Sequence, residues 1–177
     1  RISQEDFGRP VTVERLREIC CDPRLVADNW DGGSAKLDAC MELVTAAVEG
    51  GHRILLFSQF TSMLELLAKR LDEAGVSHFT LQGSTPKPVR AELVRRFNSG
   101  EADVFLISLR AGGTGLNLTA ADIVIHYDPW WNLAAQNQAT DRAYRIGQRN
   151  PVQVYRLIAQ DTIEETVSYT HLTLPTT

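Results

Sequence analysis

The sequence is poor in cysteine, has no long apolar run and carries no excess of basic residues. Its three cysteines, Cys20, Cys21 and Cys40, show no paired CxxC spacing, so they predict buried thiols in a reduced compartment rather than disulfides or a zinc site. No apolar stretch has the length that spans a bilayer, so we expect no membrane partner. The net charge of −4 argues against a uniformly basic nucleic-acid coat but still allows a local groove with its own charge.

What is present is the composition of a globular domain. Of the 177 residues, 44% are hydrophobic and 23% are charged, which is enough to bury one sizeable core. Thr12 and Ser34 are placed to cap two helices, and Gly50 would end the second. We expect residues 1–33 to form a lead-in helix and loop, and residues 34–165 to form the main domain.

After residue 50, short apolar runs alternate with segments of helical periodicity. The runs are partly β-branched, as buried strands are, and they lie at residues 54–57, 78–81, 104–107, 123–127 and 152–158. The helical segments between them lie at residues 61–74, 87–97 and 132–146. This alternation predicts an α/β fold in which helices cover both faces of a parallel sheet.

Loops that follow parallel strands are where ligands gather, and one of them is rich in glycine. In residues 108–117, Gly112, Gly113 and Gly115 would let backbone amides approach a phosphate or a nucleic-acid backbone closely. A tight turn that needs glycine explains the same residues equally well. A dinucleotide-binding oxidoreductase is disfavoured, because Leu118 stands where its third glycine should be.

Two further features follow the next strand. Trp130 and Trp131 fit packing in a core or against a partner lobe, and they also fit base stacking. The helix after them carries a polar face at spacings of 0, 3, 4 and 7, formed by Gln138, Asp141, Arg142 and Arg145. This face fits a solvated surface, and it fits two guanidinium groups that reach a transferred phosphoryl group. The spacing alone leaves both interpretations open.

Longer motifs resemble one family. The segment QATDRAYRIGQ, residues 138–148, resembles the sixth helicase motif of the Swi/Snf-like branch of superfamily-two ATPases. Four earlier segments match the same family in its order and spacing. Residues 54–60 resemble the fourth motif and residues 81–98 the segment after it, while residues 108–117 and 127–132 resemble the fifth motif and its extension. The resemblance covers residues 14–165 and implies the C-terminal RecA-like lobe of a DNA translocase, a three-layer α/β fold.

The resemblance also implies residue roles on the ATP side. Arg142 and Arg145 would act as arginine fingers on ATP that is bound mainly by an N-terminal RecA-like lobe, and Gln138 would position the nucleotide or the attacking water. Further nucleotide contacts are implied for Gly113, Gly115 and Asp141. Contacts to the backbone of double-stranded DNA are implied for Gln59, Ser84, Thr85, Ser108 and Gly112.

The sequence contains neither a Gly-x-x-x-x-Gly-Lys-Ser/Thr phosphate loop nor an Asp-Glu metal-binding box. We therefore expect no metal site in this chain, and we expect Mg²⁺ and most of the ATP site on the N-terminal lobe that the chain lacks. The chain alone should be inactive. A non-catalytic module that binds nucleic acid or a partner is the alternative. The family implies a location at the bacterial nucleoid in the cytoplasm, or in the nucleus of a eukaryote.

Residues 166–177 differ in composition and periodicity from the rest of the chain. They are rich in threonine, uncharged and without helical period, and they are similar to adapter-derived read-through in assembled sequence data. A genuine disordered terminus is the alternative. Either way we expect a non-native or disordered tail outside the fold.

Overall fold

The computed structural model describes residues 12–112, 116–129, 132–140 and 151–165. Its helices are α1 (Val13–Cys21), α2 (Ala35–Glu49), α3 (Thr61–Glu73), α4 (Lys87–Ser99), α5 (Leu109–Gly112) and α6 (Leu133–Thr140), with a 3₁₀ turn at Pro23–Leu25. Its strands are β1 (Ile54–Ser58), β2 (His78–Leu81), β3 (Val104–Ser108), β4 (Ile123–His126) and β5 (Gln153–Arg156). The tail, residues 166–177, lies outside the described residues.

The five strands form one sheet in the order β2-β3-β1-β4-β5, and every neighbouring pair is parallel. β1 lies in the centre, where Phe57 pairs with Ile107 of β3 and with His126 of β4. Helices connect the strands in turn, as parallel pairing requires. The predicted three-layer α/β fold of RecA-like type is confirmed.

Alternate residues of the central strands face two separate cores, one on each side of the sheet. Ile54 and Leu56 of β1 pack on one side with the buried residues of α2 and α3. Leu55 and Phe57 pack on the other side with Phe97 of α4 and with residues of α5 and α6. Since both faces are covered, the central strands are apolar throughout, which is why the sequence shows continuous runs there rather than alternation.

Local signals in the sequence set the helix ends. The hydroxyl of Thr12 accepts from the backbone N–H of Arg15 at 3.3 Å, and the hydroxyl of Ser34 accepts from that of Leu37 at 3.3 Å. Both predicted caps are therefore confirmed. At the other end of a helix, Gly100 follows α4 with φ of 95°, a left-handed conformation that glycine adopts without strain.

The prediction of five buried strands is wrong for β5. All four of its residues are exposed, and the strand, Gln153–Arg156, is shorter than the predicted run of residues 152–158. The reason is its position, because β5 is an outer strand of the sheet and pairs there only with β4. Apolar composition alone does not distinguish an outer strand from a central one.

The three cysteines are free thiols. Cys21 and Cys40 are buried in the α2 and α3 core, and Cys20 is partly exposed. Burial raises the pKa of Cys40 to about 12, so this thiol stays protonated and inert. Among the described residues, no helix is long and apolar enough to cross a bilayer.

His126 at the end of β4 is a buried imidazole. Its ring stacks on Phe57 with centroids 5.5 Å apart, and only 1% of the residue is exposed. Burial, with a further contribution from Arg156 on the neighbouring strand, lowers its pKa from 6.5 to about 4. The folded chain therefore holds this imidazole neutral under conditions where an unfolded chain protonates it.

We predict that His126 makes the fold sensitive to mild acid. As the pH falls, the unfolded chain takes up the proton at a higher pH than the folded chain does. The stability that depends on the neutral ring is therefore complete above pH 6.5 and is lost as the pH falls toward 4. Between pH 7.5 and pH 5 this loss is about 2 kcal/mol. Urea unfolding of wild type and His126→Phe at both pH values measures it. The variant should lose about 2 kcal/mol less than wild type, and equal losses would contradict the assignment.

Candidate functional site at the carboxyl edge of the sheet

The carboxyl ends of the parallel strands bring four of the five residues predicted to contact DNA to one edge. Gln59 follows β1, Ser84 and Thr85 follow β2, and Ser108 ends β3. From β1 the chain passes to α3 on one face of the sheet, whereas from neighbouring β4 it passes to α6 on the other. Connections that leave neighbouring strands toward opposite faces open a crevice between them, which is the usual ligand position in such sheets.

The turn after β2 is braced by an arginine. The hydroxyl of Thr85 accepts from the backbone N–H of Gln82 at 3.1 Å. Arg90 of α4 donates to the carbonyl oxygens of Thr85 and Gly83, each at 2.6 Å. Ser84 is exposed at the tip of this turn. The turn therefore presents the Ser84 side chain from a fixed backbone.

Ser108 begins a helical turn where the sequence predicted an open glycine loop. Only 2% of the residue is exposed, and its hydroxyl accepts from the backbone N–H of Ala111 at 3.3 Å. The prediction of a continuous loop is therefore wrong for residues 109–112, because this capping bond stabilises α5, which ends at Gly112. Gly113 and Gly115 lie outside the described residues.

Gln59 is held by α1. Its side-chain oxygen Oε1 accepts from Arg17 Nη2 at 2.5 Å. Its side-chain nitrogen Nε2 is buried and has no hydrogen-bond partner in the described part of the chain. A buried donor without an acceptor is unfavourable, and such groups mark positions where a ligand or a water is expected.

Asp128 is a buried carboxylate in the crevice between β1 and β4. Only 2% of it is exposed, and it accepts from Ser58 Oγ at 2.5 Å and from the backbone N–H of Gln59 at 3.2 Å. Burial raises its pKa above the ordinary value, while the Ser58 hydrogen bond opposes that rise. The two bonds fix the chain where it leaves β4 toward α6.

A second polar cluster ties α1, α2 and the residues after β5 to the same point. The Tyr127 hydroxyl donates to the carbonyl of Cys21 at 2.9 Å, and Lys36 Nζ lies 5.0 Å from the Tyr127 ring centroid. Lys36 Nζ is also 2.7 Å from both carboxylate oxygens of Glu164. The Lys36 and Glu164 side chains are 9% and 2% exposed, and Glu164 further accepts from the backbone N–H of Ala159 at 2.8 Å.

The remaining predicted residues belong to α6 and its continuation. Gln138 is exposed on α6, and Ala139 beside it packs into the core. Asp141, Arg142 and Arg145 lie outside the described residues. Within the described ranges, no group of three or more His, Cys, Asp or Glu side chains is arranged to hold a metal.

Sequence reasoning did not assign roles to Arg17, Asp128, Lys36 or Glu164. The sequence carries a signal for only one of them, because an Asp directly after an apolar strand, as Asp128 is, ends at the ligand-binding edge. The other three act through contacts between residues far apart in the chain, 128 positions apart for Lys36 and Glu164. A pattern read along the sequence does not reveal such contacts.

The fold and the placement of these motifs define a helicase-type RecA-like lobe. The family described as "Helicase conserved C-terminal domain" matches residues 35–147. The chain belongs to this family, and its relatives are Swi/Snf-type ATP-dependent helicases and chromatin remodellers.

Individual comparisons agree. The chain is 44% identical over 159 residues to "Putative ATP-dependent helicase/translocase YwqA" of Bacillus subtilis, covering 86% of this chain and 17% of that protein. It is 43% identical over 138 residues to "SWI/SNF-related matrix-associated actin-dependent regulator of chromatin subfamily A member 1" of Mus musculus, covering 77% and 13%. The solved C-terminal part of the Fun30 ATPase domain matches with a TM-score of 0.74 and 32% identity, covering 90% of this chain and 54% of that one.

The chain spans only a small part of its relatives. The first three curated relatives are covered over 16%, 15% and 17% of their own lengths. The activity, substrates and partners of the whole protein are therefore matters for proposal.

We predict that removing one partner of the buried Lys36–Glu164 pair destabilises the fold more than neutralising both partners does. Lys36→Met leaves a buried carboxylate without its cation, so the free energy of unfolding should fall by about 3 to 5 kcal/mol. Adding Glu164→Gln should restore most of this loss, because the amide is neutral and its oxygen still accepts from Ala159. Urea unfolding of both variants measures the difference.

Lys69→Met is the matched control, since Lys69 is an exposed lysine of α3. It should change the free energy of unfolding by less than about 0.5 kcal/mol. A double variant no more stable than Lys36→Met would show that the uncompensated charge is not the cause of the loss.

Proposed function

We propose that this chain is the C-terminal lobe of an ATP-dependent double-stranded DNA translocase, with residues 34–165 as the lobe and residues 1–33 as its lead-in. It would supply arginine fingers and DNA-backbone contacts to a cleft shared with an N-terminal RecA-like lobe. The observation that carries the proposal is that one edge of the sheet gathers the motif residues after β1, β2 and β3 and the start of the α6 segment. Membership of the helicase C-terminal family supports it.

The ATP side of the proposal rests on α6. Gln138 is exposed and Ala139 is buried, which sets the polar face of this helix toward solvent. The sequence spacing of 0, 3, 4 and 7 would place Asp141, Arg142 and Arg145 on the same helical face as Gln138. Two guanidinium groups there would donate planar pairs of hydrogen bonds to phosphate oxygens across the cleft and stabilise the charge of the transferred phosphoryl group.

The N-terminal lobe would bind Mg²⁺ and most of the nucleotide. Mg²⁺ neutralises charge on the phosphates when it is bound. This chain would contribute Gln138, to position the nucleotide or the attacking water, and Asp141 as a further contact to the nucleotide. Gly113 and Gly115 would bring backbone amides close to the nucleotide side of the cleft.

The DNA side would use Gln59, Ser84, Thr85, Ser108 and Gly112. Ser84 is exposed, and the Thr85 hydroxyl accepts from the backbone N–H of Gln82, a bond that does not use the hydroxyl's own proton, so both side chains suit phosphate oxygens. Ser108 is buried and would act by fixing the start of α5, which ends at Gly112. Residues 83–149 carry eight Lys and Arg against six Asp and Glu, a local balance of +2 beside −4 for the whole chain. Contacts to phosphate oxygens bind the DNA backbone without reading the base sequence.

We predict that the purified chain folds but does not hydrolyse ATP, because it holds only the finger half of the site. Circular dichroism and a phosphate-release assay with duplex DNA test this. Mixing with the N-terminal lobe of the same full-length protein should restore DNA-stimulated hydrolysis. Robust hydrolysis by the isolated chain would contradict the two-lobe assignment.

We predict that Arg142→Ala and Arg145→Ala in the full-length protein each lower turnover by about a hundredfold or more, since arginine fingers commonly contribute at least that much. Arg142→Lys and Arg145→Lys should not restore it, because lysine keeps the charge but lacks the planar fork. Steady-state ATPase assays with duplex DNA, beside thermal unfolding, measure the effect. If these arginines belong to a solvated face instead, turnover should stay within about twofold of wild type.

A further inference from the structure

Arg17 of the lead-in helix α1 lies where the two sides of the crevice meet. One guanidinium nitrogen, Nη2, is 2.5 Å from Gln59 Oε1 and 3.4 Å from the carbonyl oxygen of Pro129. Gln59 follows β1, and Pro129 follows β4 on the way to α6. A single atom of α1 therefore bridges the two connections that leave the central strands toward opposite faces of the sheet.

This contact fixes the orientation of the Gln59 amide. A guanidinium group only donates hydrogen bonds, so the amide atom that faces Arg17 has to be the oxygen. The amide nitrogen Nε2 then points away from Arg17, and it is buried without a hydrogen-bond partner in the described part of the chain. Arg17 thus determines which amide atom of Gln59 is left without a partner among the described residues, and that atom is a hydrogen-bond donor.

The surroundings of Arg17 restrict its position further. Its guanidinium carbon lies 6.0 Å from the ring centroid of Phe60, at the start of α3. Burial lowers the pKa of Arg17, while the nearby carboxylate of Asp128 raises it. Since a guanidinium remains charged in proteins, Asp128 is an electrostatic partner as well as a neighbour. The cation is therefore held by groups from both connections.

We propose that Arg17 is a positioning residue that couples the proposed DNA contact at Gln59 to the connection that leads into α6. The inference rests on the proposed function. Any shift of Gln59 toward a phosphate moves its oxygen Oε1, which accepts a hydrogen bond from Arg17 Nη2. The same nitrogen also donates to the carbonyl oxygen of Pro129. The origin of the helix proposed to carry the arginine fingers therefore depends on the state of the DNA contact, through one side chain of the lead-in helix.

The test uses the full-length protein and compares ATP turnover with and without duplex DNA. Arg17→Ala should lower the ratio of stimulated to basal turnover by about fivefold to tenfold, the size expected of a coupling residue. The KM for ATP should stay within about twofold, because Arg17 is not proposed to touch the nucleotide. Thermal unfolding checks that the variant is folded.

Arg17→Lys separates coupling from packing. Because one nitrogen makes both contacts, a lysine ammonium has the donors to make them as well, although its side chain is shorter. The stimulation ratio of this variant should therefore lie between those of wild type and Arg17→Ala. If Arg17→Ala does not fold, the ratio of Arg17→Lys decides the question. Arg70→Ala, which removes an ion-paired arginine at the far end of α3, is the matched control and should keep the wild-type ratio.

A double variant tests the route through Gln59. If Arg17 acts through this side chain, Arg17→Ala combined with Gln59→Leu should lower the ratio no further than Gln59→Leu alone. Additive losses would overturn the inference, and so would a wild-type ratio in both Arg17 variants. Absence of DNA stimulation in the wild-type protein would instead overturn the proposed function itself, so the two failures are distinguishable.

Discussion

The buried carboxylate of Asp128 is the interaction on which the candidate site depends. It lies between the two central strands that send their chains to opposite faces, and it is bound by Ser58 and by the backbone of Gln59. A carboxylate in this position needs such partners, because burying an unpaired charge costs more than the fold can offset. Its bonds therefore require β1 and β4 to end together, and they set the point from which the α6 segment departs.

The polar groups around it serve geometry rather than stability. Burying the Lys36–Glu164 pair costs desolvation that its attraction only partly offsets, so an apolar pair of similar size would give a comparable fold. The ion pair fixes relative positions, since it joins α2 to the residues after β5 and places a cation over the ring of Tyr127. The connection after β4 is held at Tyr127, Asp128 and Pro129 by groups from α1, from β1 and from the residue that follows β1.

Much of the fold could be predicted from local patterns, because strands, caps and helix ends are set by residues close in the chain, such as Thr12 and Ser34. The position of the site at the carboxyl edge of the sheet could also be predicted, because the alternation of strands and helices indicates a parallel sheet. The exposure of β5 and the turn of α5 could not be predicted, since the first depends on sheet order and the second on a hydroxyl of Ser108 that turns inward. The role of Arg17 could not be predicted either, because its partners are 42 and 112 residues away in the chain.

The contrast between α1 and the sheet indicates where motion is least costly. β1 and β4 are buried on both faces, so separating them would expose both cores at once. α1 has an outer face with Val13 and Leu16 exposed, and it is held at the crevice by Cys21 and by hydrogen bonds from Arg17 and to the Cys21 carbonyl. Segments with few buried apolar contacts open at lower free energy than core strands do. Displacing the lead-in helix therefore costs less free energy than separating β1 from β4, and such a displacement would first change the contacts of Arg17 with Gln59 and Pro129.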